Sequence, residues 1–82
     1  MTHELKIWPS FFCAVAQGYK TFEIRNNDCG FQVGDVLLLK EYDPKSKTYS
    51  GRETYKKITY LYQGEGMSPG YCALGIQAER TK

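Results

Sequence analysis

Lys20, Glu23 and Arg25 stand close together in one short stretch, GYKTFEIRNND from Gly18 to Asp28. Glu23 and Arg25 are two residues apart, so an extended backbone points both to the same side. A carboxylate beside a guanidinium makes a pair with an acceptor and several donors in fixed geometry, suited to a base edge or a phosphate. Lys20 falls on the opposite face of an ideal strand, but it follows Gly18 closely, and a glycine lets the chain turn that side chain inward. Thr21, Glu23 and Arg25 also describe an ordinary solvated face with a surface ion pair worth under about 1 kcal/mol. Spacing leaves both readings open.

The remaining reactive residues are sparse. His3 is the one histidine of the chain and sits beside leucine and isoleucine, with no cysteine or second histidine near it, so it reads as a half-buried, hydrogen-bonded side chain and no metal site is expected. Cys13, Cys29 and Cys72 are odd in number and widely spaced, which suggests reduced thiols and neither a metal knuckle nor a disulfide framework. Tyr55, Tyr60, Tyr62 and Tyr71 can stack on nucleic-acid bases or simply pair across strands. Lys45, Lys47, Arg52, Lys56 and Lys57 gather in one hairpin, where they serve either a soluble edge or a phosphate contact. No nucleophile elbow, zinc-protease helix or phosphate-cradling glycine loop is present. Hydrolysis would have to rest on Lys20 as a desolvated base, Thr21 as nucleophile and a carboxylate.

These residues must be positioned by a small set of elements. HELKIW (3–8) alternates, with His3, Leu5 and Ile7 on one face and Glu4, Lys6 and Trp8 on the other, and predicts a half-buried strand ending at Pro9. From Pro9 to Gln17 the period becomes helical: Phe12, Val15 and Ala16 share a face, Pro9 suits a first turn and Gly18 a C-terminal cap. KTFEIR (20–25) returns to period two and predicts a strand with Phe22 and Ile24 on its apolar face. The Asn-, Asp- and Gly-rich segment 26–35 predicts a loop ending in a Val33-Gly34-Asp35 turn. VLLLKEY (36–42) predicts a strand covered on both sides, DPKSKTYSG (43–51) a turn region, and RETYKKITYLYQ (52–63) the returning strand. After a loop at 64–70, YCALGIQ (71–77) predicts a last strand with Cys72, Leu74 and Ile76 inward, and AERTK (78–82) a loose tail. Phe12, Val15, Phe22, Ile24, Leu37, Leu39, Ile58, Leu74 and Ile76 are the expected core.

With 82 residues there is room for one domain, residues 1–82, and one compact site. The composition, 41% hydrophobic and 24% charged, is that of a folded chain and excludes a disordered tail. A net charge of +2 permits phosphate contact and falls short of the strongly basic footprint of a DNA-coating protein. MTHELKIW lacks the basic-then-apolar pattern of a secretory leader and no apolar run is long enough to cross a bilayer, so a soluble cytoplasmic protein without membrane contact is expected. The fold class is α+β: a small antiparallel or mixed β-barrel of about five strands with one short helix after the first.

Gly18, Lys20, Glu23 and Arg25 match the GxKxxExR motif of the ASCH domain, a branch of the PUA-like superfamily. HELKIWP, Phe12, Val15, Asn27-Asp28, Val33 to Asp35 and Glu41 to Asp43 follow in the same order, so that nearly the whole chain resembles an uncharacterised ASCH-like subfamily of short bacterial and phage proteins. The resemblance implies a PUA-like barrel with a cleft beside the first helix, lined by Lys20, Glu23 and Arg25, with Thr21 and Asn27 adjoining. Its implied ligand is RNA or a modified nucleotide, with no cofactor. Cys29 stands where members of that subfamily often carry an arginine, which leaves any phosphate contact to Lys20 and Arg25. Another ASCH-like branch hydrolyses N4-acetylcytidine with a lysine at the position of Lys20, a threonine at that of Glu23 and a later glutamate. This chain keeps the lysine alone, so the resemblance implies a binding module ahead of an amidohydrolase. A protein-interaction module that pairs through the hairpin edge is a further alternative.

Overall fold

The period-two segments become strands and the one helical-period segment becomes the helix. The structure, a computed structural model, describes residues 1–78, so most of the expected tail at 78–82 lies outside the described residues. The elements are β1 (Thr2–Ile7), α1 (Pro9–Ala16), β2 (Phe22–Asn26), β3 (Val36–Asp43), β4 (Thr48–Tyr62) and β5 (Tyr71–Ala78). All five strands form one sheet in the order β1-β3-β4-β5-β2, with β1 parallel to β3 and every other pair antiparallel. The sheet curls into a half-barrel whose two edges are β1 and β2.

The concave side holds the core: Ile7, Phe12, Val15, Phe31, Leu37, Leu39, Ile58, Cys72, Leu74 and Ile76 are all buried. Phe12 and Val15 face inward from α1, as the helical stripe requires. Phe31, from the loop after β2, fills one end and meets the His3 ring edge-on at 4.7 Å between centroids. His3 is indeed buried and bonded, its Nε2 lying 2.8 Å from Asp35 Oδ2.

Several expectations are corrected. Phe22 and Ile24 do not join the core: they are 47% and 54% exposed, and Glu23 between them is buried instead. In the β2–β5 ladder Glu23 lies opposite inward-facing Leu74, while Phe22 and Ile24 lie opposite Gly75 and Ala73 on the convex side. β3 is fully buried on one side only, at Leu37, Leu39 and Glu41, with Val36, Leu38 and Lys40 half-buried on the other. The turn expected over 43–51 tightens to residues between Asp43 and Thr48, because β4 already begins at Thr48, with Thr48 and Tyr49 paired to Asp43 and Tyr42. Lys56 is not an exposed hairpin cation but faces inward opposite Leu37.

Candidate functional site

The position of β2 is set by the end of α1. Gln17 caps the helix, Gly18 takes φ +85°, its N–H bonds Val15 O at 3.1 Å, and the Tyr19 N–H bonds Ala14 O at 2.9 Å. This paired closure of the last helical carbonyls requires a residue with positive φ, which glycine adopts without strain. The Lys20 N–H adds a third bond, 3.0 Å to Ala14 O. Lys20 therefore leaves the helix before β2 begins, free of strand alternation, and its side chain turns inward.

There Lys20, Glu23 and Arg25 form one cluster. Lys20 Nζ donates to Glu23 Oε1 at 2.5 Å and to the Phe22 carbonyl at 2.7 Å. Arg25 Nε donates to Glu23 Oε2 at 3.0 Å, and its Nη2 reaches the Lys6 carbonyl of β1 at 2.8 Å. That last bond crosses the open seam of the half-barrel and ties its two edges. The Glu23 side chain is 6% exposed, against 19% for Lys20 and 25% for Arg25. The pair is thus not a solvated surface bridge: a buried carboxylate holds two half-sheltered cations in place.

A cleft of about 570 Å³ opens along this seam, lined by Lys6, Ile7, Trp8, Phe11, Lys20, Phe22, Glu23, Ile24 and Arg25. Its floor is the charged cluster, and its walls are Trp8 and Phe11 on one side and Phe22 and Ile24 on the other. The Lys20 ammonium lies 4.7 Å from the Phe22 ring centre and 5.5 Å from that of Phe11, in cation–π contact with both walls. Each Glu23 oxygen already receives a cation, so its role in this arrangement is to orient Lys20 and Arg25. What the cleft offers a ligand is donors: the third hydrogen of Lys20 and the two of Arg25 Nη1, which has no partner among the described residues. Such a site takes an anionic or carbonyl-bearing group on the floor and a flat apolar group between the walls.

Thr21 and Asn27 are placed elsewhere. Thr21 is exposed and outside the cleft lining, with its carbonyl accepting the Ile76 N–H. Asn27 shapes the following loop: its Oδ1 accepts the Phe31 N–H at 2.9 Å and its Nδ2 donates to Gln63 at 3.0 Å. The aromatic walls were missed in the sequence. Helical period does not mark Phe11 as a wall, because it stands four residues before Val15 at the margin of the same stripe, and yet it is 49% exposed.

A second buried carboxylate lies beneath α1. Glu41 accepts Arg52 Nε and Nη2 at 3.0 and 2.9 Å and the Ser50 hydroxyl at 2.6 Å, and the Arg52 guanidinium stacks 4.9 Å from the Phe12 ring centre. Ser50 and Arg52 reach it because β4 bulges opposite Glu41: Lys40 pairs with Glu53 and Tyr42 with Tyr49, leaving three β4 residues against one. The hydrogen bonds from Arg52 and Ser50 hold the Glu41 carboxyl below the usual range. Likewise the His3 and Gln32 bonds hold Asp35 low against the opposing effect of burial. No cluster of three or more metal-ligating side chains occurs among the described residues, and no helix there is long and apolar enough to cross a membrane.

Over 57 residues the chain is 33% identical to a protein of Escherichia phage P2 described as "Uncharacterized 12.9 kDa protein in GpA 3'region", covering 70% of this chain and 50% of that protein. The chain thus spans about half the length of this curated relative. Residues 2–76, from the start of β1 to the core end of β5 and including the whole cleft, match the family described as "Domain of unknown function (DUF3850)". The chain belongs to the DUF3850 family.

Proposed function

We propose that this protein is an ASCH-like member of the PUA-like superfamily, and that it binds RNA or a modified nucleotide in the cleft between β1 and β2. The observation that carries the reading is the cluster of Lys20, Glu23 and Arg25 on the floor of an open, aromatic-walled cleft. The free donors of Lys20 and Arg25 face a phosphate or a base carbonyl, and a base fits between Trp8 and Phe11 on one side and Phe22 on the other. Glu23 is the positioning residue that holds both cations. Two Lys20 hydrogens are engaged by Glu23 and the Phe22 carbonyl, which suits a cationic donor better than the amine base of an amidohydrolase, and Thr21 lies outside the cleft.

The test is affinity for a panel of single-stranded RNAs and modified nucleosides, measured for wild type and Lys20→Ala over a range of salt. With about two phosphate contacts the log–log salt slope on single strands should be about −1.4. Lys20→Ala should weaken binding and make that slope shallower. A slope of about −3 or steeper, more than two contacts can supply, would assign binding to the hairpin cations instead. Turnover of N4-acetylcytidine by protein freed of host hydrolases would replace binding with catalysis.

A further inference from the structure

The exposed apolar residues that the cleft leaves over share one place. On the convex side of the sheet the ladders align Phe22 with Gly75 and Tyr60, and Ile24 with Ala73 and Tyr62, across β2, β5 and β4. The middle strand carries only a glycine and an alanine there, so these rows form a shallow trough with β2 side chains as one wall and β4 tyrosines as the other. Phe22 and Tyr60 stand two strand spacings apart, about 10 Å, which admits a base lying on the floor or stacked on either ring. A bulge at Thr59 shapes the trough: β4 shifts register between Ile58 and Tyr60, and Tyr60 then leans over Gly75, where an added Cβ would stand 3.2 Å from Tyr60 Cβ. Tyr60 is 66% exposed, and Phe22, Ile24, Tyr62 and Tyr71 are also exposed.

Phe22 and Ile24 belong to the cleft lining as well, so trough and cleft meet at the β2 edge. The charged side chains that the strands bring beside this surface are cations. Lys57 stands one row beyond Tyr60, opposite Gln77, and Lys20 lies over the Phe22 ring at the cleft side. The outward residues of β2, of β5 from Tyr71 to Gln77 and of β4 from Tyr55 to Tyr62 include no carboxylate.

We infer that the trough walled by Phe22, Ile24, Tyr60 and Tyr62 is a second subsite, on which a single-stranded nucleic acid leaving the cleft stacks its neighbouring bases. This rests on the cleft being a nucleotide site and adds that the ligand is a strand, read by stacking and without strong sequence preference. The trough itself needs a chain that is anionic and presents successive flat faces, which a single strand does.

The experiment compares adenosine 5′-monophosphate with a short single-stranded oligoadenylate by fluorescence or calorimetric titration. Wild type, Tyr60→Ala, Tyr60→Phe and Lys20→Ala are measured, each with a melting curve. Tyr60 is used because Tyr62 also holds the Glu65 carbonyl through its hydroxyl. The oligonucleotide should bind wild type more tightly than the mononucleotide. Tyr60→Ala should weaken the oligonucleotide roughly five- to 100-fold and leave the mononucleotide unchanged, Tyr60→Phe should restore it, and Lys20→Ala should weaken both. Equal oligonucleotide affinity in wild type and Tyr60→Ala, with Lys20→Ala still impaired, would overturn the trough and leave the cleft reading intact. No binding of either probe by wild type would overturn both. A Tyr60→Ala change that converts a dimer to a monomer in gel filtration, with oligonucleotide affinity unmoved, would overturn the trough as a nucleic-acid surface and assign it to self-association.

Discussion

Removing the charge of Glu23 should destabilise the domain and weaken its ligand together. Glu23→Gln keeps the shape, but an amide has one oxygen and one NH2, so whichever way it turns, either Lys20 or Arg25 faces a donor in place of an acceptor. One charge-assisted hydrogen bond is worth about 1.5–3 kcal/mol, and breaking a fully buried ion pair costs about 3–5 kcal/mol. Lys20 and Arg25 keep 19% and 25% of their side-chain exposure, so both can partly rehydrate, which places the loss at the lower end, about 2–3 kcal/mol. For a domain of this size that is a fall in Tm of roughly 10–20 °C. The Arg25 bond to Lys6 O should loosen as well, so the seam between β1 and β2 opens and ligand affinity falls, by roughly five- to 100-fold. Glu41→Gln is the control: the Glu41 carboxylate is as buried as that of Glu23, the side chain of its partner Arg52 is 59% exposed and Glu41 lies outside the cleft lining, so the change should lower Tm by less and leave the affinity of the folded protein unchanged. The assays are thermal unfolding and titration with the best ligand of the RNA panel, the latter well below either Tm. A Glu23→Gln Tm within about 2 °C of wild type would refute the argument that the carboxylate is a buried anchor.

Three further outcomes follow from the same geometry. Phe22→Ala or Ile24→Ala should cost less than about 1 kcal/mol, against about 2–5 kcal/mol for Leu39→Ala in the core, and denaturant midpoints would expose a wrong assignment of the β2 faces if the values came out equal. Asp35 and Glu41 are more acidic folded than unfolded, so their stabilisation is full above their unfolded range and disappears as pH falls through their depressed folded values; Tm should drop from about pH 4.5 downward, and less steeply in Asp35→Asn. With a thiol reagent at mildly alkaline pH, exposed Cys13 should react first. Cys29 should lag because its bond to Asp28 raises its thiol pKa, and buried Cys72 should react only on unfolding, as mass spectrometry of the modified sites can follow.

Alternation and helical period carried most of the fold in the sequence alone. The inward set of β1, the Phe12–Val15 stripe of α1, Leu37 and Leu39 of β3 and the Cys72–Leu74–Ile76 face of β5 all lie where their local patterns put them, since each of these elements has core on one side. β2 defeats the same logic. Its period of two was legible, whereas spacing left the gathering of Lys20, Glu23 and Arg25 open and the family resemblance alone implied it. Which of its faces turns inward depends on its place at the sheet edge, next to a seam, and strand order has no local sequence signature. There the inward side must serve a cleft, so a carboxylate balanced by two cations goes in and Phe22 and Ile24 become wall and outer face. The Glu41–Arg52 pair was hidden for a related reason: eleven residues separate them along the chain, and only the bulge in β4 brings Ser50 and Arg52 over one carboxylate. Local pattern fixes periodicity because that depends on backbone geometry alone, whereas the burial of a charge depends on which other charges the tertiary fold delivers to it, and that is decided only when the sheet has closed around them.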